Sequence, residues 1–106
     1  MFDRGGARSM SDDAIWCRNH FMCMNEGAVW AVPRSGLTFR RCGDSLHLIE
    51  RMPYTDELAR AAEAGAAVPR SADALLAYQD EDFALIRSRF EDAGIRVVDG
   101  TMEPLS

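Results

Sequence analysis

Residues 28–51, AVWAVPRSGLTFRRCGDSLHLIER, decide the fold of this chain. Two turn signals divide the stretch, at residues 34–36 and 43–44, and each contains a glycine that suits a hairpin loop. The segments around the turns alternate apolar and polar side chains and are rich in β-branched and aromatic residues. The stretch therefore predicts three antiparallel strands, at residues 28–33, 37–42 and 45–51.

The sequence on either side extends this sheet and adds helices. A third turn signal, at residues 25–27, predicts a further strand over 15–24. After Pro53 the apolar period changes to about 3.6, which predicts a helix from Thr55 to about Ala64 and a short helical stretch over 71–78. A longer helix is expected from Glu81 to Ala93, with Asp80 as its cap and the acidic run 80–82 at its N-terminus.

Gly94 then ends that helix, and residues 96–98 predict a final short strand. The expected fold class is α+β: a four-stranded antiparallel meander with two or three helices packed on one face and a short C-terminal strand. Residues 11–106 are expected to form this single domain, and residues 1–10, rich in Gly, Arg and Ser, a flexible N-terminal tail.

Charge is distributed unevenly along the chain. The net charge is −5, and residues 55–106 account for it with five arginines against eleven acidic residues. This balance argues against general affinity for nucleic acid or an anionic membrane. All basic residues are arginine and alanine is abundant, a bias expected of a small bacterial or phage protein.

Cysteine usage and hydropathy indicate where the chain works. The three cysteines are an odd number, and no apolar run is long enough for a membrane helix or a secretory signal. We therefore expect a cytoplasmic protein in a reducing compartment.

The three turns predict which side chains share a face of the sheet, because residues equidistant from a hairpin loop lie opposite one another. The expected core face is almost wholly apolar and comprises Phe21, Cys23, Val29, Ala31, Leu37, Phe39, Leu46 and Leu48. The other face is expected to carry a row that crosses all four strands, formed by Met22, Trp30, Arg40 and His47.

This row has two interpretations. It could be a half-buried surface covered by the N-terminal segment or by the helix over 71–78, with Arg40 stacked on Trp30. It could instead be a binding surface, because Trp, Met and Arg are enriched at interface centres and one strong helix cannot cover both faces.

The sequence gives few indications of a metal site or of a catalytic site. Cys17, His20 and Cys23, with Cys42 and His47 further on, suggest a zinc site, but an extended strand would hold Cys17 and Cys23 about 20 Å apart. A Cys–His nucleophile pair, such as Cys42 with His47 or Cys17 with His20, would need the two groups within hydrogen-bond reach. The chain carries no phosphate-binding loop, nucleophile elbow or H-E-x-x-H motif, so no cofactor or metal is expected.

The sequence therefore predicts a small non-enzymatic binding or regulatory protein, such as an adaptor, an immunity-type protein or a phage-encoded inhibitor. Its partner would be another protein or a second copy of the chain, held by the sheet face. Two alternatives stay open: a binder of nucleic acid or another anion that uses Arg18, Arg40 and Arg51 with Trp30 as a stacking platform, and an enzyme with an unfamiliar Cys/His site.

Overall fold

A computed structural model describes residues 12–101, which form three helices and four strands. In chain order they are α1 (Asp12–Met22), β1 (Val29–Val32), β2 (Leu37–Cys42), β3 (Ser45–Arg51), α2 (Asp56–Glu63), α3 (Ala72–Asp92) and β4 (Arg96–Asp99). The strands form one mixed sheet in the order β1-β2-β3-β4, so the predicted α+β class is confirmed. The expected tail at residues 1–10 lies outside the described residues.

The β2–β3 hairpin follows the predicted register at its closed end. Cys42 pairs with Ser45 and Arg40 with His47, as the two-residue turn requires. Leu37, Phe39, Leu46 and Leu48 are all fully buried. A bulge between Thr38 and Phe39 then shifts the pairing by one residue.

The predicted strand over residues 15–24 is wrong, because this segment is the helix α1. Two acidic residues occupy its first turn, where they favour the helix dipole. Its buried residues are Ala14, Cys17 and Phe21, a spacing that places all three on one side of a helix. The meander accordingly has three strands rather than four.

The fourth strand comes from the other end of the chain. β4 lies beside β3 and runs parallel to it, with Leu46 opposite Val97. A parallel neighbour needs a crossover connection, and the segment that contains α2 and α3 supplies it. The antiparallel prediction thus holds for β1, β2 and β3 and fails for β4.

The register of β1 also differs from the prediction. Val32 pairs directly with Leu37, so the connecting loop contains four residues, 33–36, instead of three. Val32 O accepts a hydrogen bond from Gly36 N at 2.8 Å. Gly36 has φ +74° and no room for a side chain, since an added Cβ would lie 2.5 Å from the Cβ of Met52. The one-residue shift turns Trp30 and Val32 toward the core and Val29 and Ala31 away from it.

Two helix starts were predicted correctly and one was not. The hydroxyl of Thr55 accepts from Leu58 N at the start of α2, and that of Ser71 accepts from Ala74 N at the start of α3. The two predicted helical stretches after Ser71 are one helix. Asp80 is not a cap, because it lies in the middle of α3.

Long-range partners explain why α3 tolerates buried polar residues. Asp82 is 5% exposed, and its carboxylate accepts from the Ser35 hydroxyl at 2.6 Å and from the Arg34 guanidinium at 2.8 Å. The amide of Gln79 donates to the carbonyls of Ser35 and Met52. These bonds fasten the β1–β2 loop to α3.

The core lies between one face of the sheet and the helices α1 and α3. Phe39, Phe90, Leu37, Leu46, Leu48 and Val97 are its largest fully buried side chains. Phe21 is buried as predicted, although from a helix. Cys23, Val29 and Ala31, expected in the core, are exposed. No helix within residues 12–101 is long and apolar enough to cross a membrane.

Candidate functional site: the open face of the sheet

We call the side of the sheet that faces away from α1 and α3 the open face. Its members follow from the strand register and the alternation of side chains. They are Val29, Ala31, Thr38, Arg40, Cys42, Ser45, His47, Glu50, Arg96 and Val98. Val29 is 54% exposed and Ile49, beside the bulge, is 39% exposed. Apolar and cationic side chains therefore reach solvent together on this surface.

The structure separates the four residues of the predicted row. Arg40 and His47 are cross-strand partners on the open face, as expected. Trp30 pairs with Phe39 instead of Arg40 and packs against the core. Met22 ends α1 and is 67% exposed, away from the sheet. The row is wrong as a geometric unit, because Met22 lies on a helix and the register of β1 is shifted by one residue. Whether any of its members binds a partner stays a prediction.

Arginines on the two sides of the sheet differ in their partners. Arg41 points toward α1 and donates to the carbonyls of Phe21 at 3.0 Å and Met24 at 2.6 Å. Its guanidinium also lies 4.3 Å from the centre of the Phe21 ring. By contrast, Arg40 and Arg96 on the open face have no ion pair or side-chain hydrogen bond within residues 12–101.

Two arginines expected at the margins of this face lie elsewhere. Arg51 is only 14% exposed and pairs with Asp80 and Asp99, each at 2.8 Å. It therefore joins β3, α3 and β4 and is not presented to a ligand. Arg18 lies on α1 rather than on the sheet. Arg96 was not predicted on this face, because the parallel pairing of β4 with β3 brings it there.

One polar pair on the open face was also missed. The Ser45 hydroxyl lies 3.0 Å from Nε2 of His47 and 2.9 Å from the carbonyl of Cys42, to which it donates. The His47 ring is therefore held by a neighbour on its own strand, at positions i and i+2. Ser45 thus forms hydrogen bonds both to the turn and to His47. The thiol of Cys42, which a Cys–His nucleophile pair would require, has no hydrogen bond to His47 within the described chain.

A second group of aromatic residues lies on the core side, between α1 and β1. The ring of Trp16 stacks on His20 at 4.9 Å between centroids, and the edge of His20 meets Trp30 at 4.6 Å. Burial lowers the pKa of His20. Its Nε2 atom is buried and has no hydrogen-bond partner in the described part of the chain.

The helical geometry also revises the argument about zinc. Cys17, His20 and Cys23 lie on or just after one helix, so the strand separation used against a shared metal does not apply. Cys17 is buried in the core whereas Cys23 is exposed. No group of three or more His, Cys, Asp or Glu side chains within residues 12–101 is arranged to hold a metal ion.

The Cys17 thiol is poorly suited to nucleophilic chemistry. Burial raises its pKa, and the smaller opposing effect of Arg89 does not compensate. A raised pKa leaves the sulfur protonated at neutral pH, whereas the thiolate is the reactive form.

Comparison of the chain with family models, curated proteins and solved structures finds no match.

Proposed function

We propose that this chain is a non-enzymatic binding protein whose open face contacts a carboxylate-bearing surface of a partner protein. One observation carries the proposal: the core-forming helices α1 and α3 pack on the same side of the sheet, and on the other side Val29, Ile49, Arg40 and Arg96 are exposed. Exposed apolar side chains among arginines suit a surface that contacts another protein.

The charge of the open face indicates the chemistry of the partner. Arg40 and Arg96 lie on β2 and β4, on opposite sides of His47 in the sheet. Within residues 12–101, the strand register places one carboxylate on the open face, that of Glu50. It lies opposite Thr38, at the bulged end of the β2–β3 hairpin. Two guanidiniums that have no ion pair or side-chain hydrogen bond within residues 12–101 favour carboxylates across an interface, where bidentate hydrogen bonds can form.

A second copy of the chain fits this face less well. A twofold axis through the open face would bring the cationic residues of one protomer against those of the other. Like charges placed opposite one another at an interface cost several kcal/mol. The acidic surface of a different protein avoids this cost, so self-association serves as a competing outcome in the test.

Three free cysteines support a reducing compartment as the site of action. Cys17, Cys23 and Cys42 form no disulfide, and Cys23 is exposed. Oxidising compartments favour disulfides. We therefore assign the protein to the cytoplasm as part of the proposal.

The test compares two double charge reversals. Arg40→Glu with Arg96→Glu changes the open face, whereas Arg60→Glu with Arg70→Glu makes the same charge change at two exposed positions outside the sheet. Proteins captured by the wild type and lost only with the open-face variant are purified, and their affinity for all three forms is measured. We expect the open-face variant to bind about 30-fold more weakly or worse, equivalent to about 2 kcal/mol.

Two results would contradict the proposal. Equal loss of binding with both double variants would indicate a general charge effect rather than a surface. Concentration-dependent dimerisation of the wild type in sedimentation experiments, abolished by the open-face variant, would replace the partner protein with a second copy.

The alternative function, binding of a nucleic acid or another anion, retains one supporting observation: the guanidiniums of Arg40 and Arg96 have no partner in the described part of the chain. Trp30 cannot serve as its stacking platform beside Arg40, because the two side chains are on opposite faces of the sheet. Binding to phosphates would weaken steeply between low and moderate salt, while a mainly apolar protein interface would not. A salt titration with single-stranded nucleic acid therefore separates this alternative from the main proposal.

A further inference from the structure

A cleft of about 330 Å³ lies on the helical side of the sheet, away from the open face. We call it the indole cleft, because both tryptophans of the chain line it. Its other charged or aromatic lining residues are Asp13, Arg34, Arg89 and Phe90. The cleft thus brings together α1, β1, the β1–β2 loop and α3.

The aromatic walls of the indole cleft are held in place by ring contacts. Trp30 stacks on Phe39 at 5.5 Å between centroids and leans on Phe90 at 5.6 Å. Trp16 is 55% exposed, yet it lies nearly parallel to the ring of His20. The two indoles are 6.3 Å apart and inclined by 56°. A planar ligand would meet surfaces that need little ordering on binding.

Two guanidiniums, from Arg34 and Arg89, lie at the rim of the cleft, and each faces one carboxylate. Nε of Arg89 forms a salt bridge with Asp13 at 3.7 Å, which is beyond hydrogen-bond distance. Arg34 bonds Asp82 through Nε and Nη2, and its side chain remains 55% exposed. Each guanidinium has five N–H donors and is half-exposed, so both arginines can donate further hydrogen bonds to an anionic group that enters from solvent.

We infer that the indole cleft binds a small aromatic carboxylate. The volume is at the lower end of the range for small-molecule sites, which suits one or two fused rings. The indoles supply stacking surfaces for the ring, and the guanidiniums supply donors for the carboxylate. The indole cleft is separate from the open face, so a test of ligand binding there is independent of the proposed protein partner.

Naphthoate and naphthamide test the inference, because the two probes have nearly the same shape and differ in charge. Calorimetry should give saturable binding of naphthoate with a Kd of about 1 mM or below, and binding of naphthamide about fivefold weaker or worse. In proton–nitrogen correlation spectra, naphthoate should shift both indole N–H signals. Trp16→Phe removes one of the signals and so assigns them.

A matched pair of variants locates the carboxylate. Arg89→Gln and Arg87→Gln make the same change on the same helix, but only Arg89 lines the cleft. Arg89→Gln should weaken naphthoate about fivefold and leave naphthamide unchanged, whereas Arg87→Gln should alter neither.

The inference is overturned by absence of saturable naphthoate binding to the wild type at about 10 mM, by equal affinities for the two probes, or by equal effects of the two arginine variants. The comparison of probes on the wild type does not depend on any variant folding.

Discussion

Replacing Arg41 by methionine should loosen α1 from the sheet, because this side chain ties the C-terminal end of the helix to β2. The change keeps the aliphatic length of the residue and removes three polar contacts. Nη1 donates to the carbonyls of Phe21 and Met24, and Nε donates to the carbonyl of Gly43 at 3.0 Å. The cation over the Phe21 ring is lost as well.

The contacts of Arg41 give the size of the expected effect. Hydrogen bonds to a charged donor contribute about 1.5–3 kcal/mol each, and a cation–π contact about 0.5–1 kcal/mol. Arg41 is half-buried, so water can replace part of what is lost. We therefore expect Arg41→Met to lower the free energy of unfolding by about 2–3 kcal/mol, and the Tm by about 10 °C.

The neighbouring arginine is the matched control. Arg40 is exposed on the open face and has no partner within residues 12–101, so Arg40→Met should change stability by no more than about 0.5 kcal/mol. Urea denaturation followed by circular dichroism measures both variants. Equal destabilisation by the two substitutions, or a larger effect of Arg40→Met, would refute both the anchoring role of Arg41 and the register of β2.

Three further perturbations test the core and its polar contacts. Phe90→Ala should cost about 3–5 kcal/mol, since Phe90 is 1% exposed, while Leu85→Ala on the same helix should cost under about 1 kcal/mol; similar losses in denaturant titrations would contradict the packing of α3. Asp82→Ala should cost about 2–3 kcal/mol, because the buried Ser35 hydroxyl loses its acceptor, and unchanged thermal melting would show that this bond contributes nothing. Burial lowers the pKa of His20 in the folded state, so the unfolded chain binds the proton more readily; stability is full above pH 6.5 and should fall as the pH drops below that unfolded-state value. His20→Phe should remove this pH dependence, and a wild-type slope that persists in the variant would assign it to another group.

The hairpin between β2 and β3 was predictable because its information is local. Gly43 and Asp44 set a two-residue turn, and the alternation on either side then places Leu46 and Leu48 in the core. The Arg40–His47 pair of the open face follows from the same turn. This is the part of the candidate site that the sequence could supply.

The remaining differences arise where local patterns are ambiguous or the deciding contact is distant. The segment that became α1 is short and its apolar residues show almost no helical amphipathicity, so periodicity does not distinguish a helix from a strand there. At β1 the loop could close over three or four residues, and the contact of Gly36 with Met52 accompanies the longer loop. The one additional residue in the loop shifts the register of β1, so Trp30 faces the core rather than the open face.

Long-range pairing accounts for the errors in the second half of the chain. The acidic run at 80–82 looks like a helix start, but Asp82 is stabilised by Ser35, which lies 47 residues earlier in the sequence. Likewise, the four residues of β4 do not indicate whether this strand runs parallel or antiparallel to β3. Arg96 could therefore not be assigned to the open face before the sheet topology was known.

Site-specific photo-cross-linking tests most directly whether the open face is the binding surface. A photoreactive amino acid replaces Val29 on the open face in one form of the protein and Leu85 on α3 in the other, two apolar positions of similar exposure, 54% and 43%. The account predicts that the form labelled at position 29 cross-links to a partner protein and that the form labelled at position 85 does not. Cross-links formed only from position 85 would contradict the account, and a cross-link from position 29 to a second copy of the chain would contradict its choice of partner.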